Sequence, residues 1–293
     1  MRISKRELEG RAEALSRRLI SCSLCPNDCA VDRWADERGR CNLGTSARVA
    51  SFGPHFGEEP ALVGSAGSGT IFFSGCNLAC LYCQNWTISQ EREGADVGEE
   101  ELAGMLLRIQ RMGCANANLV TPTPHAASIA RALASAVEAG FDLPIVWNCG
   151  GYESVEVLRA LDGVVDVYMP DLKYGDDDVG RRLSGIPDYV RRSQAALREM
   201  HRQVGDLVMD ADGIARRGLL VRHLVLPNGL AGTDRVVRFL AREISPDTYV
   251  NLMDQYRPCY RATERPELGR RITPEEYAAA KALAKRAGLH RFA

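Results

Sequence analysis

The sequence predicts an α/β fold: a partial or full parallel barrel of the TIM type with about six strands, preceded by a small cysteine-rich module. Three observations carry this reading. From residue 70 onward, apolar strand-like runs alternate with amphipathic helical stretches, and unbroken apolar strands in such alternation belong to a parallel sheet covered by helices. With 293 residues and 45% hydrophobic content, the chain can bury one large core with a small appendage. Seven of the ten cysteines fall in the first 83 residues, in two groups: Cys22, Cys25, Cys29, Cys41 and then Cys76, Cys80, Cys83. The expected division is 1–68 for an N-terminal helix, the four-cysteine module and a linker, and 69–293 for the barrel.

The elements follow in order. Residues 4–20 place Leu8, Ala12, Leu15 and Leu19 on one helical face, a capping helix. Residues 46–69 are punctuated by Gly and Pro and read as short strands and turns. TIFFSG (70–75) is a strand and 98–112 a helix. NANLVT (116–121) is a strand, followed by a helix that ends at Gly140. LPIVWN (143–148), a helix from Ser154, VVDVYM (164–169), a helix around 188–203, LLVRHLVL (219–226), a helix from Thr233 and TYVNLM (248–253) continue the alternation. The final helix opens with the start signal TPEE at 273–276.

In a barrel of this kind, active sites gather at the C-terminal ends of the strands. The polar residues sort accordingly. The cysteine triplet follows the first strand, Thr121 to His125 the second, Asn148 to Tyr152 the third, and Asp171 to Tyr174 the fourth. Pro227 to Gly229 follow the fifth strand and Asp254 to Arg257 the sixth. All face one rim.

Composition narrows the function classes. Lys plus Arg (37) nearly cancels Asp plus Glu (38), and a net charge of -1 gives no global field for nucleic acid or anionic lipid. The N-terminus is charged throughout, with no signal-peptide core, and no apolar run is long enough for a bilayer, so the expectation is a cytoplasmic protein. Cytosolic thiols are kept reduced, which makes ten cysteines a sign of metal or redox chemistry rather than disulfides. The single Cys114, Cys149 and Cys259 read as small buried hydrophobes. Cys149 is held open because of its place at the rim.

The stretch TIFFSGCNLACLYCQNW (70–86) delivers three thiols as C-x3-C-x2-C with no nearby fourth Cys or His. A structural zinc site wants a closed shell of four ligands, whereas an iron-sulfur cube held by three thiolates leaves one iron open. With the preceding apolar strand and Tyr82 before the last cysteine, the triplet resembles the cluster motif of the radical S-adenosylmethionine (SAM) superfamily. That resemblance implies a 4Fe-4S cluster on Cys76, Cys80 and Cys83 whose open iron chelates SAM. It also implies reductive cleavage of SAM to a 5'-deoxyadenosyl radical that abstracts hydrogen from a substrate.

Within the superfamily, residues 68–258 resemble the activating enzymes of glycyl radical enzymes, with pyruvate formate-lyase activating enzyme as the type. YMPDLKY (168–174) is similar to their D-L-K segment and VRHLVLPNG (221–229) to their basic strand ending in Pro and Gly. Carried over, Asp171 and Lys173 contact the ribose of SAM, and Arg222 joins them. Tyr82 and Asn85 are further cofactor contacts on the triplet loop. Where many members carry G-G-E for the cofactor's amino group, this chain has VTPTPH, which passes that role to Thr121 and Thr123. Where the type has D-T-N-G lining a monovalent cation site, this chain has Asn148, Cys149, Gly150 and Gly151; an Asn offers an oxygen but no charge. Gln255 stands where the type places a ribose-facing His. The implied partners are a glycyl radical enzyme as substrate and a flavodoxin or ferredoxin as electron donor.

The first group, Cys22, Cys25, Cys29 and Cys41, reads C-x2-C-x3-C-x11-C with turn formers between. A knuckle this small cannot fold on a core of its own, so a metal is its expected staple. Four thiolates serve zinc or a second iron-sulfur cluster alike; the cluster is preferred because the chain already depends on cluster assembly and a second centre could pass electrons to the first. The leading function is therefore a radical SAM enzyme acting on a glycyl radical enzyme. An alternative keeps the chemistry and changes the substrate to a small molecule or another protein side chain. A different class, a zinc-knuckle protein binding nucleic acid, is opposed by the near-neutral charge and the lack of a basic aromatic stripe.

Overall fold

The alternating strands and helices form one sheet in the computed structural model, which describes residues 3–293; the first two residues of the expected N-terminal segment lie outside it. The strands are β1 (Ala47–His55), β2 (Ser68–Phe73), β3 (Ala95–Val97), β4 (Ala117–Val120), β5 (Ile145–Cys149), β6 (Val167–Pro170), β7 (Val208–Met209), β8 (Ala215–Leu224), β9 (Tyr249–Met253) and β10 (Arg291–Phe292). Between them run α1 (Lys5–Arg17), α2 (Pro60–Val63), α3 (Trp86–Ser89), α4 (Glu99–Arg111), α5 (Ala126–Glu138), α6 (Val155–Ala160), α7 (Asp177–Ser184), α8 (Tyr189–Val204), α9 (Thr233–Phe239) and α10 (Pro274–Ala287).

Neighbouring strands run β10-β9-β8-β6-β5-β4-β2-β1-β3, with β7 beside β8. The six expected strands, β2, β4, β5, β6, β8 and β9, pair in parallel. Among the described residues β10 and β3 end the sheet, so the barrel is partial and not closed. Every position of β5 and β6 is buried, because helices cover one face and the barrel interior takes the other. Helix starts are written in the sequence. Ser4 and Glu7 close a capping box on α1, and Thr273 and Glu276 do the same for α10.

Three differences from the sequence reading have physical causes. Residues 46–69 hold a nine-residue strand, β1, antiparallel to β2. Beyond Val49 it has β2 alone as neighbour, so Pro54 is tolerated there as on an edge. Helix α7 went unread because DDVGRRLS carries four charges and an internal glycine; Asp176 caps its start and Gly185 (φ 66°) its end. Strand β8 begins at Ala215 rather than 219, its outer end pairing with β7.

The expected boundary after residue 68 falls at the first residue of β2, which shares a ladder with β1. Leu8, Leu15, Leu19 and Leu24 share one core with Ile129, Leu133 and Trp147. Helix α1 lies on α5, tied by Arg131 donating to the Ser16 hydroxyl at 2.6 Å and by the Lys5–Glu138 pair at 2.7 Å. No helix of the described residues is long and apolar enough to cross a membrane.

Candidate active site

Strand β2 ends at Phe73, and two residues on the chain breaks at Gly75, whose φ of 79° is left-handed and which Leu43 approaches so closely that a Cβ would lie 2.7 Å from its Cδ1. The chain then turns into the triplet loop, and the C-terminal end of α7 holds that loop by its backbone. The Leu81 N–H donates to Leu183 O at 2.9 Å and the Ala79 N–H to Ser184 O at 3.3 Å. Each triplet sulfur has a polar neighbour. The Leu78 N–H donates to Cys76 Sγ at 3.4 Å, the Ser184 hydroxyl lies 2.9 Å from Cys80 Sγ, and the Ser89 hydroxyl 3.1 Å from Cys83 Sγ. Burial pushes the Cys76 and Cys80 thiols up, so as free thiols they stay neutral.

Beside the triplet a cavity of about 200 Å³ opens at the ends of β6, β8 and β9. Its wall includes Cys80, Cys83, Tyr82, Asn85, Asp171, Lys173, Arg222 and Gln255. Six of the nine cofactor-contact residues expected from the sequence thus meet at one cavity with two of the three cysteines. At its floor, Asp171 accepts from Lys173 Nζ at 2.6 Å and from Arg222 Nε at 2.8 Å. Both carboxylate oxygens are engaged, so a ligand meets Asp171, Lys173 and Arg222 as a unit. Burial by itself pushes Asp171 up, but Arg222 and Lys173 outweigh it and hold the carboxyl below its usual range. Burial likewise opposes the Lys173 charge, and Asp171 more than restores it.

The other three expected contacts lie outside the cavity wall. Asn148 is buried behind Arg222 and accepts from its Nη2 at 2.7 Å, so a side-chain cation already stands on the oxygen a monovalent ion would take. Thr121 follows β4 with φ 60°, an uncommon conformation for a β-branched residue and one that marks stored strain, and its N–H donates to Asn148 O at 2.9 Å. Thr123 is turned away, its buried hydroxyl donating to Glu153 at 2.7 Å.

The model of the radical SAM superfamily matches residues 70–214. Two proteins of Methanocaldococcus jannaschii align along most of the chain. The uncharacterized protein MJ0674 is 35% identical over 295 residues, 96% of this chain and 79% of its own. The uncharacterized protein MJ0808 is 24% identical over 300 residues, 90% and 80%. The chain belongs to the radical SAM superfamily. The X-ray structure of the FeFe-hydrogenase maturase HydG from Carboxydothermus hydrogenoformans aligns with a TM-score of 0.50 at 13% identity, over 73% of this chain and 49% of that one. The chain spans about half the length of HydG, and the likeness is one of fold.

Superfamily membership implies a 4Fe-4S cluster and SAM. Among the described residues no group of three Cys, His, Asp or Glu side chains is placed to share a single metal ion. A cube takes each thiolate on a different iron, so its ligands stand apart. Three thiols, Cys80 buried and Cys76 and Cys83 partly buried, each with a polar neighbour and beside a cavity lined by a carboxylate and two cations, fit a radical SAM cluster and its zwitterionic ligand.

The four-cysteine module lies directly against the triplet. The Asn27 amide donates to Asn77 O at 2.8 Å and lies 3.5 Å from Cys25 Sγ, and the Arg40 N–H donates to Cys29 Sγ at 3.4 Å while its Nη2 donates to Ser184 O at 3.0 Å. Asp28, Ala30, Asp36 and Asn42 all have left-handed φ, which Asp and Asn adopt readily, so the module is a succession of tight turns. Burial pushes the Cys25 thiol up to about 12.

Sequence reasoning missed several residues that the fold recruits. Glu59, before α2, reaches within 3.8 Å of Arg222 and accepts from Asn251 at 3.1 Å, with its second oxygen unpartnered. Ser184 and Ser89 touch the triplet sulfurs. None lies in a motif; Ser184 was hidden with α7, and Glu59 in a stretch read as turns. Cys149 is buried and does not line the cavity, as expected of a small buried hydrophobe.

Proposed function

We propose that Cys76, Cys80 and Cys83 hold the 4Fe-4S cluster of a radical SAM enzyme whose substrate is a glycyl radical enzyme. When bound, the cluster and SAM supply one electron and a 5'-deoxyadenosyl radical that takes a hydrogen atom. This chain's residues bind, orient and exclude water. The observation that carries the reading is the convergence of Cys80, Cys83, Asp171, Lys173 and Arg222 on one cavity at the C-terminal strand ends. Lys173 and Arg222 would face the carboxylate or ribose oxygens of SAM, Asp171 would keep both cations in register, and Tyr82 would pack against the ligand from the triplet side. The D-L-K segment and the basic strand before Pro227 support the glycyl radical branch by resemblance.

Cys22, Cys25, Cys29 and Cys41 would hold a second centre, a cluster in preference to zinc because the module lies against the triplet loop, where a redox centre could pass electrons from a flavodoxin or ferredoxin. The test is anaerobic reconstitution with iron, sulfide, dithionite and SAM, assayed for 5'-deoxyadenosine with and without a candidate glycyl radical protein. Cleavage with a glycyl radical EPR doublet on the partner supports the reading. Cleavage without any doublet across partners removes the substrate assignment and leaves the radical SAM enzyme.

A further inference from the structure

A row of hydroxyls links the cavity wall to one triplet sulfur. The Tyr82 hydroxyl donates to Tyr174 Oη at 2.6 Å, Tyr174 Oη lies 2.6 Å from Ser184 Oγ, and Ser184 Oγ lies 2.9 Å from Cys80 Sγ. All three hydroxyl residues are buried, Ser184 completely. Each hydroxyl has one proton to give. A cysteine bound to iron is a thiolate and can only accept. Ser184 must then give its proton to Cys80, which makes it the acceptor for Tyr174, which in turn accepts from Tyr82. Cluster binding fixes the whole row in one direction.

We propose that Ser184 is a positioning residue for the cluster: its hydroxyl donates to the Cys80 sulfur, Tyr174 and Tyr82 aim that donation, and the cluster's reduction potential depends on it. A donor to a cluster sulfur favours the electron-rich reduced state, and such hydrogen bonds help set the potential. The far end of the row, Tyr82, also lines the cavity, so the row runs from the cavity wall to the cluster. The backbone of Ser184 is held separately, its carbonyl accepting from Ala79 and Arg40, so removing the hydroxyl leaves the loop docked. This inference rests on the reading that the triplet holds a 4Fe-4S cluster.

The experiment is an EPR-monitored redox titration of the full-length, anaerobically reconstituted protein without SAM, after iron content and the visible spectrum have confirmed the cluster in each variant. Ser184→Ala should move the midpoint to a more negative potential, Ser184→Thr should return it to the wild-type value, and Tyr174→Phe should shift it in the same direction by less. Tyr82→Phe, which leaves Tyr174 donating to Ser184, should shift it least. An unchanged midpoint in Ser184→Ala, or a Thr variant that behaves like Ala, overturns the proposal. Should Ser184→Ala take up no iron, Tyr174→Phe decides by itself: a wild-type midpoint there overturns it. A wild-type protein that binds no 4Fe-4S cluster defeats the underlying cluster reading instead, and iron analysis shows that before any titration.

Discussion

Replacing Asp171 by Ala separates a cofactor-binding trio from an ordinary strand-end ion pair. Asp171 holds Lys173 at 2.6 Å and Arg222 at 2.8 Å, with all three side chains 18–19% exposed. Each charge-assisted bond contributes roughly 1.5–3 kcal/mol, and removing the shared acceptor leaves two cations facing each other. The exposed fraction admits water and reduces the loss, so the expected destabilisation is about 2–4 kcal/mol. For a chain of this size that lowers Tm by roughly 5–15 °C. Arg222 keeps Asn148 and Glu59, whereas Lys173 loses its carboxylate; Lys173→Ala in the Asp171→Ala background should therefore recover about 1 kcal/mol or more. SAM affinity, read by calorimetry on the cluster-loaded protein, should fall about tenfold, some 1.4 kcal/mol. The pH dependence has a definite sign. A depressed folded pKa gives stability that is present above the unfolded carboxylate value and lost as pH falls through the folded one. The difference between wild type and variant should hold constant from about pH 5 to 9 and close below about pH 4. Equal Tm and equal SAM affinity in the variant would refute the trio's role.

Replacing Cys76, Cys80 and Cys83 by Ala should abolish both the 4Fe-4S EPR signal and 5'-deoxyadenosine formation; a triple variant with full cleavage would defeat the assignment of the cluster. Gly75→Ala places a Cβ at a left-handed φ against Leu43 and should cost about 1–3 kcal/mol, with reduced iron uptake measured by iron analysis. Glu153, pushed up to about 7 by burial, binds its proton more tightly folded than unfolded, so stability should decline between about pH 4.5 and 7 by an amount on the order of 3 kcal/mol. Glu153→Gln should flatten that slope in urea denaturation at pH 5 and 8, and an unchanged slope would remove Glu153 as its source. Replacing Cys22, Cys25, Cys29 and Cys41 should remove the module's own metal while the triplet keeps its cluster; loss of both would show one folding unit across residue 68.

The strands and most helices were legible because each carries its own periodicity: β5 and β6 are apolar at nearly every position, and α1 repeats leucine and alanine on one face. The cavity was legible in outline because strand-end position follows from the alternation, which placed Asp171, Lys173 and Gln255 on one rim. What could not be read is what depends on partners distant in sequence. Whether Asp171 is free or shared is decided by Arg222, 51 residues away, and by the register of β6 against β8. Ser184 gains its place only when α7, a short helix with Val179 and Leu183 as its two apolar side chains, docks on the triplet loop. Thr123 points to Glu153 because α5 and the loop after β5 enclose it, a packing choice that no local pattern encodes.

The departures at the rim fit one another electrostatically. Arg222 donates to Asn148, pairs with Asp171 and lies within 3.8 Å of Glu59, and Glu58 also acts on its charge, so carboxylates already surround the guanidinium. An Asp at position 148 would add a further carboxylate beside these and make the group more negative, a setting that favours an added cation. With Asn148 the oxygen remains, the charge does not, and the guanidinium occupies it. Asn148 and Arg222 are therefore a matched pair: the amide makes sense only because the arginine reaches it, and the arginine is tolerated in the cavity wall because Asp171 and Glu59 stand beside it.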